Sequence, residues 1–312
     1  MGVRFFLISA TKLARSPHLL WLFVLCACMA CSQERATHHD HDAQAQAIPE
    51  EETASTADTL LARYWIGYNF HDESNLTNPD KGEQSLVNFI NLFPSSSPDV
   101  VSRSIKTMLS QAQREPMALD FFMKQYEKYL YDPNSPMRND VYYLPVMEFK
   151  LDSMRLEETE KIRTKSKLAL LRKNLPGERA ADFSYILPNG DRGRLSKLSS
   201  PLTVLFFYEP GCSHCEEAIQ QLKDYPSINT AIDNKSLVFL AIYPFGGEDV
   251  WKEYQGNLPR NWINGFNEKD EVITKNLYDL KATPTIFLLD ADKKVILKDT
   301  DVVQLLAYLG LR

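Results

Sequence analysis

Apolar side chains recur at helical spacing through the stretch that begins at residue 56. Leu61, Trp65 and Tyr68, for example, lie four and three positions apart. This spacing places them on one face of a helix, and proline-rich turns divide the stretch into about six short helices. We therefore predict an all-α domain over residues 56–175, with its aromatic side chains in the core.

The pattern changes after residue 176, where alternating and continuous apolar segments replace the helical spacing. An Asn189-Gly190 step between two alternating segments predicts a β-hairpin. Continuous apolar runs at 202–208 and 237–243 are typical of buried strands. Further strands are predicted at 285–289 and 295–297, and helices at 215–225, 250–254, 271–278 and 302–309. This order predicts an α/β domain over residues 176–312, in which helices flank a mixed sheet.

The first thirty residues differ from the rest of the chain. Arg4, Lys12 and Arg15 precede an apolar run at 19–30, and this segment has no acidic residue. The layout predicts a secretory signal peptide over residues 1–31. Because the run is shorter than the ~20 residues that a membrane-spanning helix needs, a cleaved signal is favoured over a transmembrane anchor.

The apolar run ends in Leu25-Cys26-Ala27-Cys28-Met29-Ala30-Cys31-Ser32. This segment resembles a bacterial lipobox, in which the cysteine after the cleavage site is acylated. Leu25 and Ala27, which precede Cys28, fit the lipobox pattern better than the residues before Cys31 do. Cys31 directly precedes the polar tail and is favoured for that reason. The resemblance implies a lipoprotein of the bacterial cell envelope, facing the periplasm or the cell surface, with a lipid anchor in the membrane.

Residues 32–55 are polar and show no apolar periodicity, so they are predicted to form a flexible tether. The cluster His38-His39-Asp40-His41-Asp42 contains side chains of metal-ligand type. A flexible tether offers a metal no fixed geometry. We therefore predict no metal site.

Charge and cysteine usage narrow the function. With 35 Lys and Arg against 41 Asp and Glu, the net charge is −6, which argues against a nucleic-acid partner. Of the five cysteines, only Cys212 and Cys215 lie outside the leader. A single C-x-x-C pair in an otherwise thiol-free exported chain indicates redox chemistry rather than structural disulfides.

The sequence Cys212-Ser213-His214-Cys215 lies between a predicted strand and a predicted helix. Cys212 would therefore occupy a helix N-terminus, where backbone N–H groups stabilise a thiolate. We predict Cys212 as the nucleophile, Cys215 as the thiol that resolves the mixed disulfide, and His214 as a residue that favours the thiolate. The redox group is the Cys212–Cys215 disulfide, and no other cofactor is predicted.

Two resemblances extend this interpretation. The run from Phe207 to Cys215, with Ala282-Thr283-Pro284-Thr285 further on, resembles the thioredoxin fold, and the leading hairpin resembles its TlpA/ResA-type extracytoplasmic branch. The resemblance implies that Pro284 is cis and faces the cysteines, and that Thr283 binds an extended substrate segment. The helical half, especially residues 131–139, resembles the DUF5106 domain, which implies architecture but no activity.

The sequence departs from the thioredoxin pattern at two positions. Phe206 occupies the position of the buried Asp that assists proton transfer in thioredoxins, and Ala218 stands where some ResA-like reductases have a Glu. Glu209, Glu216 and Glu217 are the nearest carboxylates in sequence. Which group moves the proton of Cys215 is therefore left open.

The leading hypothesis is a membrane-tethered thiol–disulfide oxidoreductase outside the cytoplasm. Its partners would be protein thiols and disulfides and a membrane-side thiol redox partner. The direction of electron flow stays open, because a His before the second cysteine resembles oxidising DsbA-type proteins while the branch resemblance points to reductases. The alternative is a binding or scaffold lipoprotein, in which the helical domain captures a partner.

Overall fold

The computed structural model describes residues 55–78 and 80–310. The predicted signal peptide, both candidate acylation cysteines and nearly all of the predicted tether lie outside this range. None of the helices within it is long and apolar enough to cross a membrane.

The first half of the described chain is helical. Its elements, with a short 3-10 turn at Phe93–Ser95, are α1 (Thr56–Arg63), α2 (Ser74–Thr77), α3 (Gly82–Ile90), α4 (Pro98–Ala112), α5 (Pro116–Leu130), α6 (Asp140–Ser153) and α7 (Glu158–Leu171). The sequence pattern predicts about six helices in this half, and its described residues form seven. The additional helix is the four-residue α2. Proline opens α4 and α5, because its missing N–H would have no helical partner in the first turn.

Aromatic side chains fill the core of the helical half, as expected from their place on the apolar faces. Trp65 contacts Phe89 and Phe122 edge to face, with ring centroids 5.5 and 5.4 Å apart. Tyr126 and Leu130 of α5 are fully buried beside them. Burying each large apolar side chain contributes about 1.5–3 kcal/mol.

The second half contains one seven-stranded sheet with the order β2-β1-β5-β4-β3-β6-β7. The strands are β1 (Ser184–Ile186), β2 (Arg192–Arg194), β3 (Leu202–Phe207), β4 (Leu237–Tyr243), β5 (Ile263–Phe266), β6 (Thr285–Leu289) and β7 (Val295–Thr300). The helices are α8 (Ser213–Lys223), α9 (Pro226–Asp233), α10 (Glu248–Tyr254), α11 (Glu271–Thr274) and α12 (Val302–Tyr308). The mixed sheet with flanking helices confirms the predicted fold class.

The central strand β3 determines where the candidate site lies. It runs parallel to β4 and antiparallel to β6, with Phe207 opposite Thr285. Apolar clusters cover both faces of the sheet, which explains the continuous apolar sequence of β3. The end of β3 and the start of β6 therefore lie side by side.

In the second half, strand β7 extends to Thr300, beyond the predicted 295–297, and three other elements differ more from the sequence prediction. Helix α9 and strand β5 were not predicted, and β5 was hidden because Asn264 and Gly265 interrupt its apolar pattern. Asn264 is nevertheless buried, since its Oδ1 accepts hydrogen bonds from Tyr208 Oη at 3.0 Å and Trp251 Nε1 at 2.9 Å. The helix predicted over 271–278 ends at Thr274, because Asn276 adopts a left-handed conformation with φ 49°.

Candidate functional site

The turn between β3 and α8 presents Cys212. Gly211 adopts φ 79°, a conformation that favours glycine, and Cys212 follows as the N-cap of α8. The Cys212 Sγ accepts a hydrogen bond from the Cys215 backbone N–H at 3.3 Å. One N–H group in the first turn of α8 thus donates to the sulfur, which is the type of contact that stabilises a thiolate at a helix N-terminus.

The two cysteines differ in exposure. Cys212 is partly exposed, whereas Cys215 is fully buried, and both are free thiols. Burial, followed by a hydrogen bond with Cys212, raises the pKa of Cys215 from 9.0 to about 12. At neutral pH Cys215 is therefore a neutral thiol, which suits a group that reacts second.

Thr283 and Pro284 lie directly beside Cys212. The Thr283–Pro284 peptide bond is cis, as the thioredoxin resemblance implies. The Cys212 thiol donates to the Thr283 carbonyl oxygen at 3.4 Å, and the Thr283 hydroxyl lies 3.6 Å from the same sulfur. These contacts bring together four of the five predicted site residues: Cys212, Cys215, Thr283 and Pro284.

His214 is placed on the solvent side of the motif. Its Nδ1 lies 3.8 Å from Glu217 Oε2, and the two side chains are 72% and 70% exposed. An exposed charge acts weakly through water. His214 therefore lies on the exposed side of the motif. Its predicted stabilisation of the Cys212 thiolate stays a prediction.

The position of the missing thioredoxin carboxylate is filled by an aromatic cluster. Phe206 is fully buried, and its ring centroid lies 5.8 Å from Phe239 and 5.9 Å from Trp262. Cys215 belongs to the same apolar cluster. The surroundings of Cys215 therefore raise its pKa by desolvation, with no ionised group in the place of the thioredoxin Asp.

A groove of about 420 Å³ runs alongside the cysteine motif. Helix α8, the Thr283–Pro284 loop and the start of α12 form its floor and one wall. The other wall is the loop 133–138, which belongs to the helical half. Sequence reasoning missed this contribution, although it singled out residues 131–139 as a turn-rich segment of DUF5106 type.

A largely buried ion cluster borders the groove and joins the helical half to the sheet. Three carboxylates are matched by three cations: Asp140, Asp279, Asp299, Arg138, Lys281 and Lys298. Lys281 forms an ion pair with Asp140 and lies 3.2 Å from Asp299 Oδ2. Burial alone would lower the pKa of Lys281, but Asp140 and Asp299 raise it above its ordinary value.

Burial raises the pKa of Asp299 above its ordinary value, although the nearby positive charge of Lys281 lowers it. Lys281 precedes the Thr283–Pro284 loop by two residues, and Asp299 lies in the strand that leads to α12. The ion cluster therefore anchors two structures that line the groove.

Family comparisons match both halves of the chain. Residues 32–174 match the model described as a domain of unknown function (DUF5106), and residues 194–300 match the model of a thioredoxin-like domain. A comparison with curated proteins gave no significant match.

Solved structures extend this result. A thioredoxin-like protein from Bacteroides caccae has 37% sequence identity and a TM-score of 0.77, covering 85% of this chain and 96% of its own. A conserved protein of unknown function from Bacteroides fragilis has 42% identity and a TM-score of 0.43, covering 43% of this chain and 98% of its own. A thioredoxin domain of a thiol-disulfide oxidoreductase from Bacteroides vulgatus has 20% identity and a TM-score of 0.37, covering 44% and 96%.

The match of residues 194–300 to a thioredoxin-like domain supports a redox-type function. The chain belongs to the thioredoxin-like family represented by the Bacteroides caccae protein, with a DUF5106 domain followed by the thioredoxin-like domain.

Proposed function

We propose that the protein exchanges disulfides with protein substrates through Cys212 and Cys215. The observation that carries this proposal is the difference between the two sulfurs. Cys212 is partly exposed at the N-terminus of α8 and beside Thr283, whereas Cys215 is buried with a raised pKa. One sulfur can meet a substrate, and the other can react only after it.

Reduction of a substrate proceeds in two steps. In the first, the Cys212 thiolate attacks a substrate disulfide, so that a Cys212–substrate bond forms and the other substrate sulfur leaves as a thiolate. In the second, Cys215 loses its proton and attacks the Cys212 sulfur, which releases the remaining substrate sulfur. The substrate gains two electrons and the Cys212–Cys215 disulfide forms; the two substrate thiolates take up the proton of Cys215 and, from water, the proton that Cys212 released when it ionised. Oxidation of a substrate is the reverse.

The second step requires an acceptor for the proton of Cys215. The raised pKa is caused first by burial and then by the hydrogen bond with Cys212. A mixed disulfide removes the charge of the Cys212 thiolate, and with it the contribution of that charge to the pKa. Phe206 and Ala218 provide no carboxylate next to Cys215, so the proposed proton acceptor is water or the departing substrate thiolate.

The location and the partners belong to the same proposal. The predicted signal peptide and lipobox support a lipid-anchored protein of the cell envelope, acylated at Cys31 or Cys28 and acting outside the cytoplasm. A membrane-side thiol redox partner would restore the resting state of the cysteine pair after each exchange. Protein thiols and disulfides are thus the predicted partners, both as substrates and in the reaction that restores the cysteine pair.

Trapping of the mixed disulfide tests the proposed exchange. The full chain is purified in detergent with Cys215→Ser, and insulin is added as a disulfide-bonded probe. A covalent adduct that dithiothreitol releases is expected on a non-reducing gel, because no second thiol can resolve it. The matched Cys212→Ser variant should form none. Equal labelling of the two variants, or no adduct with either, would overturn the assignment of Cys212 as nucleophile.

A further inference from the structure

The loop 133–138 is an internally braced surface that lines the same groove as His214, Thr283 and Pro284. Its backbone is held by hydrogen bonds from Asn134 N to Asp132 Oδ1 at 2.8 Å and from Ser135 Oγ to Tyr129 O at 2.6 Å. Arg138 Nη1 donates to Pro133 O at 2.9 Å and closes the loop. A wall held in this way loses little conformational entropy when a partner binds to it.

The loop is also tied to the thioredoxin-like half. Arg138 Nε lies 3.5 Å from Asp299 Oδ2, and Asp140 directly after the loop pairs with Lys281. Lys281 and Asp299 flank the groove on the other side. These contacts tie the loop to the segment that leads to Thr283 and Pro284 and to the strand that leads to α12.

The composition of the groove indicates what it can hold. Ala218, Pro284 and Ile286 give it an apolar floor, and Val303 on the far wall is 73% exposed. Two acidic residues outside the ion cluster also line the groove: Glu217 is 70% exposed beside His214, and Asp301 Oδ1 accepts the Gln304 N–H at 2.7 Å as the cap of α12. The charges of Arg138 and Lys281 are already matched by carboxylates of the ion cluster. An uncharged, apolar side chain of an extended segment fits these surroundings better than a charged one, because it leaves the existing pairs intact.

We propose that the loop 133–138 contacts protein substrates and determines which of their disulfides reach Cys212. The occupant of the groove is an extended segment of the substrate next to its disulfide, with an apolar side chain between Asn134 and Val303. This inference rests on the proposed disulfide exchange. It gives the helical half a direct part in substrate choice.

A comparison of a protein disulfide with a small disulfide tests this inference. A small disulfide needs only to reach Cys212, whereas a protein must also place its chain in the groove. In the full chain, Asn134→Trp narrows the groove from the helical half, and Val303→Trp narrows it from α12. Asn91→Trp is the matched control, because Asn91 is exposed at the end of α3 and does not line the groove.

The measured quantity is kcat/KM for insulin reduction divided by kcat/KM for a small aromatic disulfide. We expect both groove variants to lower this ratio about tenfold, mainly through a higher KM for insulin, as is typical of steric discrimination in a pocket. The control should keep the wild-type ratio. Circular dichroism confirms that each variant is folded.

The outcomes separate this inference from the function on which it rests. An effect of Val303→Trp without an effect of Asn134→Trp would overturn the role of the loop, because only the thioredoxin-like wall would then matter. Unchanged ratios in both variants would also overturn it while leaving disulfide exchange intact. A wild-type protein that neither reduces these disulfides nor oxidises the corresponding thiols would instead overturn the proposed function itself.

Discussion

The Cys212 sulfur lies 3.4 Å from the carbonyl oxygen of Thr283, although 71 positions separate the two residues in the chain. The antiparallel pairing of β3 with β6 produces this contact, because it places the end of one strand beside the start of the other. The sheet thus brings the nucleophile and the predicted substrate-binding residue to the same edge. The proposed disulfide exchange at Cys212 depends on this juxtaposition.

The first prediction concerns the ionisation of Cys215. Burial raises the pKa of Cys215 from its ordinary value of 9.0 to about 12 in the folded protein. Between these two pH values the folded protein therefore binds more protons than the unfolded chain. The free energy of unfolding should therefore fall as pH rises through this window.

Thiolate absorbance at 240 nm checks the ionisation directly. In the Cys212→Ser variant, no thiolate step is expected below about pH 10. The variant Cys212→Ser, Cys215→Ser provides the baseline. A thiolate step near pH 8 to 9, the range of an ordinary cysteine, would show that the burial of Cys215 does not control its reactivity.

A second prediction concerns Phe206, which fills the place of the thioredoxin carboxylate. Phe206→Ala removes a fully buried ring from the cluster around Phe239 and Trp262. The free energy of unfolding, measured by urea denaturation, should fall by about 3–5 kcal/mol. Val303→Ala serves as an exposed control and should change it by less than about 0.5 kcal/mol. Equal effects would mean that the cluster is not packed as described.

The third prediction concerns the buried ion cluster. Lys281→Met leaves Asp140 and Asp299 without their nearest cation, and such an uncompensated buried charge typically costs about 3–5 kcal/mol. Lys124→Met is the matched control, because its pair with Asp120 is exposed and contributes less than about 1 kcal/mol. Urea denaturation of both variants gives the comparison. A Lys281→Met protein as stable as the control would contradict the role of the cluster in joining the two halves.

The fourth prediction concerns the lipid anchor. When the chain is expressed in bacteria with a radiolabelled fatty acid, the label should be incorporated at one cysteine of the leader. Cys31→Ser is expected to abolish the labelling, and Cys28→Ser to retain it. The reverse pattern would assign the lipid to Cys28. Labelling that persists in the double variant, or no labelling of the wild type, would contradict the lipoprotein prediction.

The features predicted most accurately from the sequence are those that depend on a local pattern of residues. The strands around Val204 and Leu240 were visible because a fully buried strand is continuously apolar, and the position of Cys212 followed from its place between a strand and a helix. Strand β5 was missed because Asn264 is polar, and only its burial against Tyr208 and Trp251 explains how it fits in a core.

The groove could not be predicted because it depends on tertiary contacts. The pair of Lys281 with Asp140 joins residues 141 positions apart, and no periodic pattern marks such a pair. The loop around Asn134 shows turn residues in the sequence, but these indicate only that the chain bends. Its place beside Pro284 follows from the packing of the helical half on the sheet.

The reduction potential of the cysteine pair tests the central claim most directly. The full chain is equilibrated with glutathione buffers of known potential, and the fraction of Cys212–Cys215 disulfide is measured by thiol alkylation, with Cys212→Ser as control. We expect a reversible two-electron transition between about −270 and −120 mV, the range of thioredoxin-like oxidoreductases, and its value will separate a reductant from an oxidant. No transition in this range would contradict disulfide exchange and favour a binding protein built on a thioredoxin-like fold.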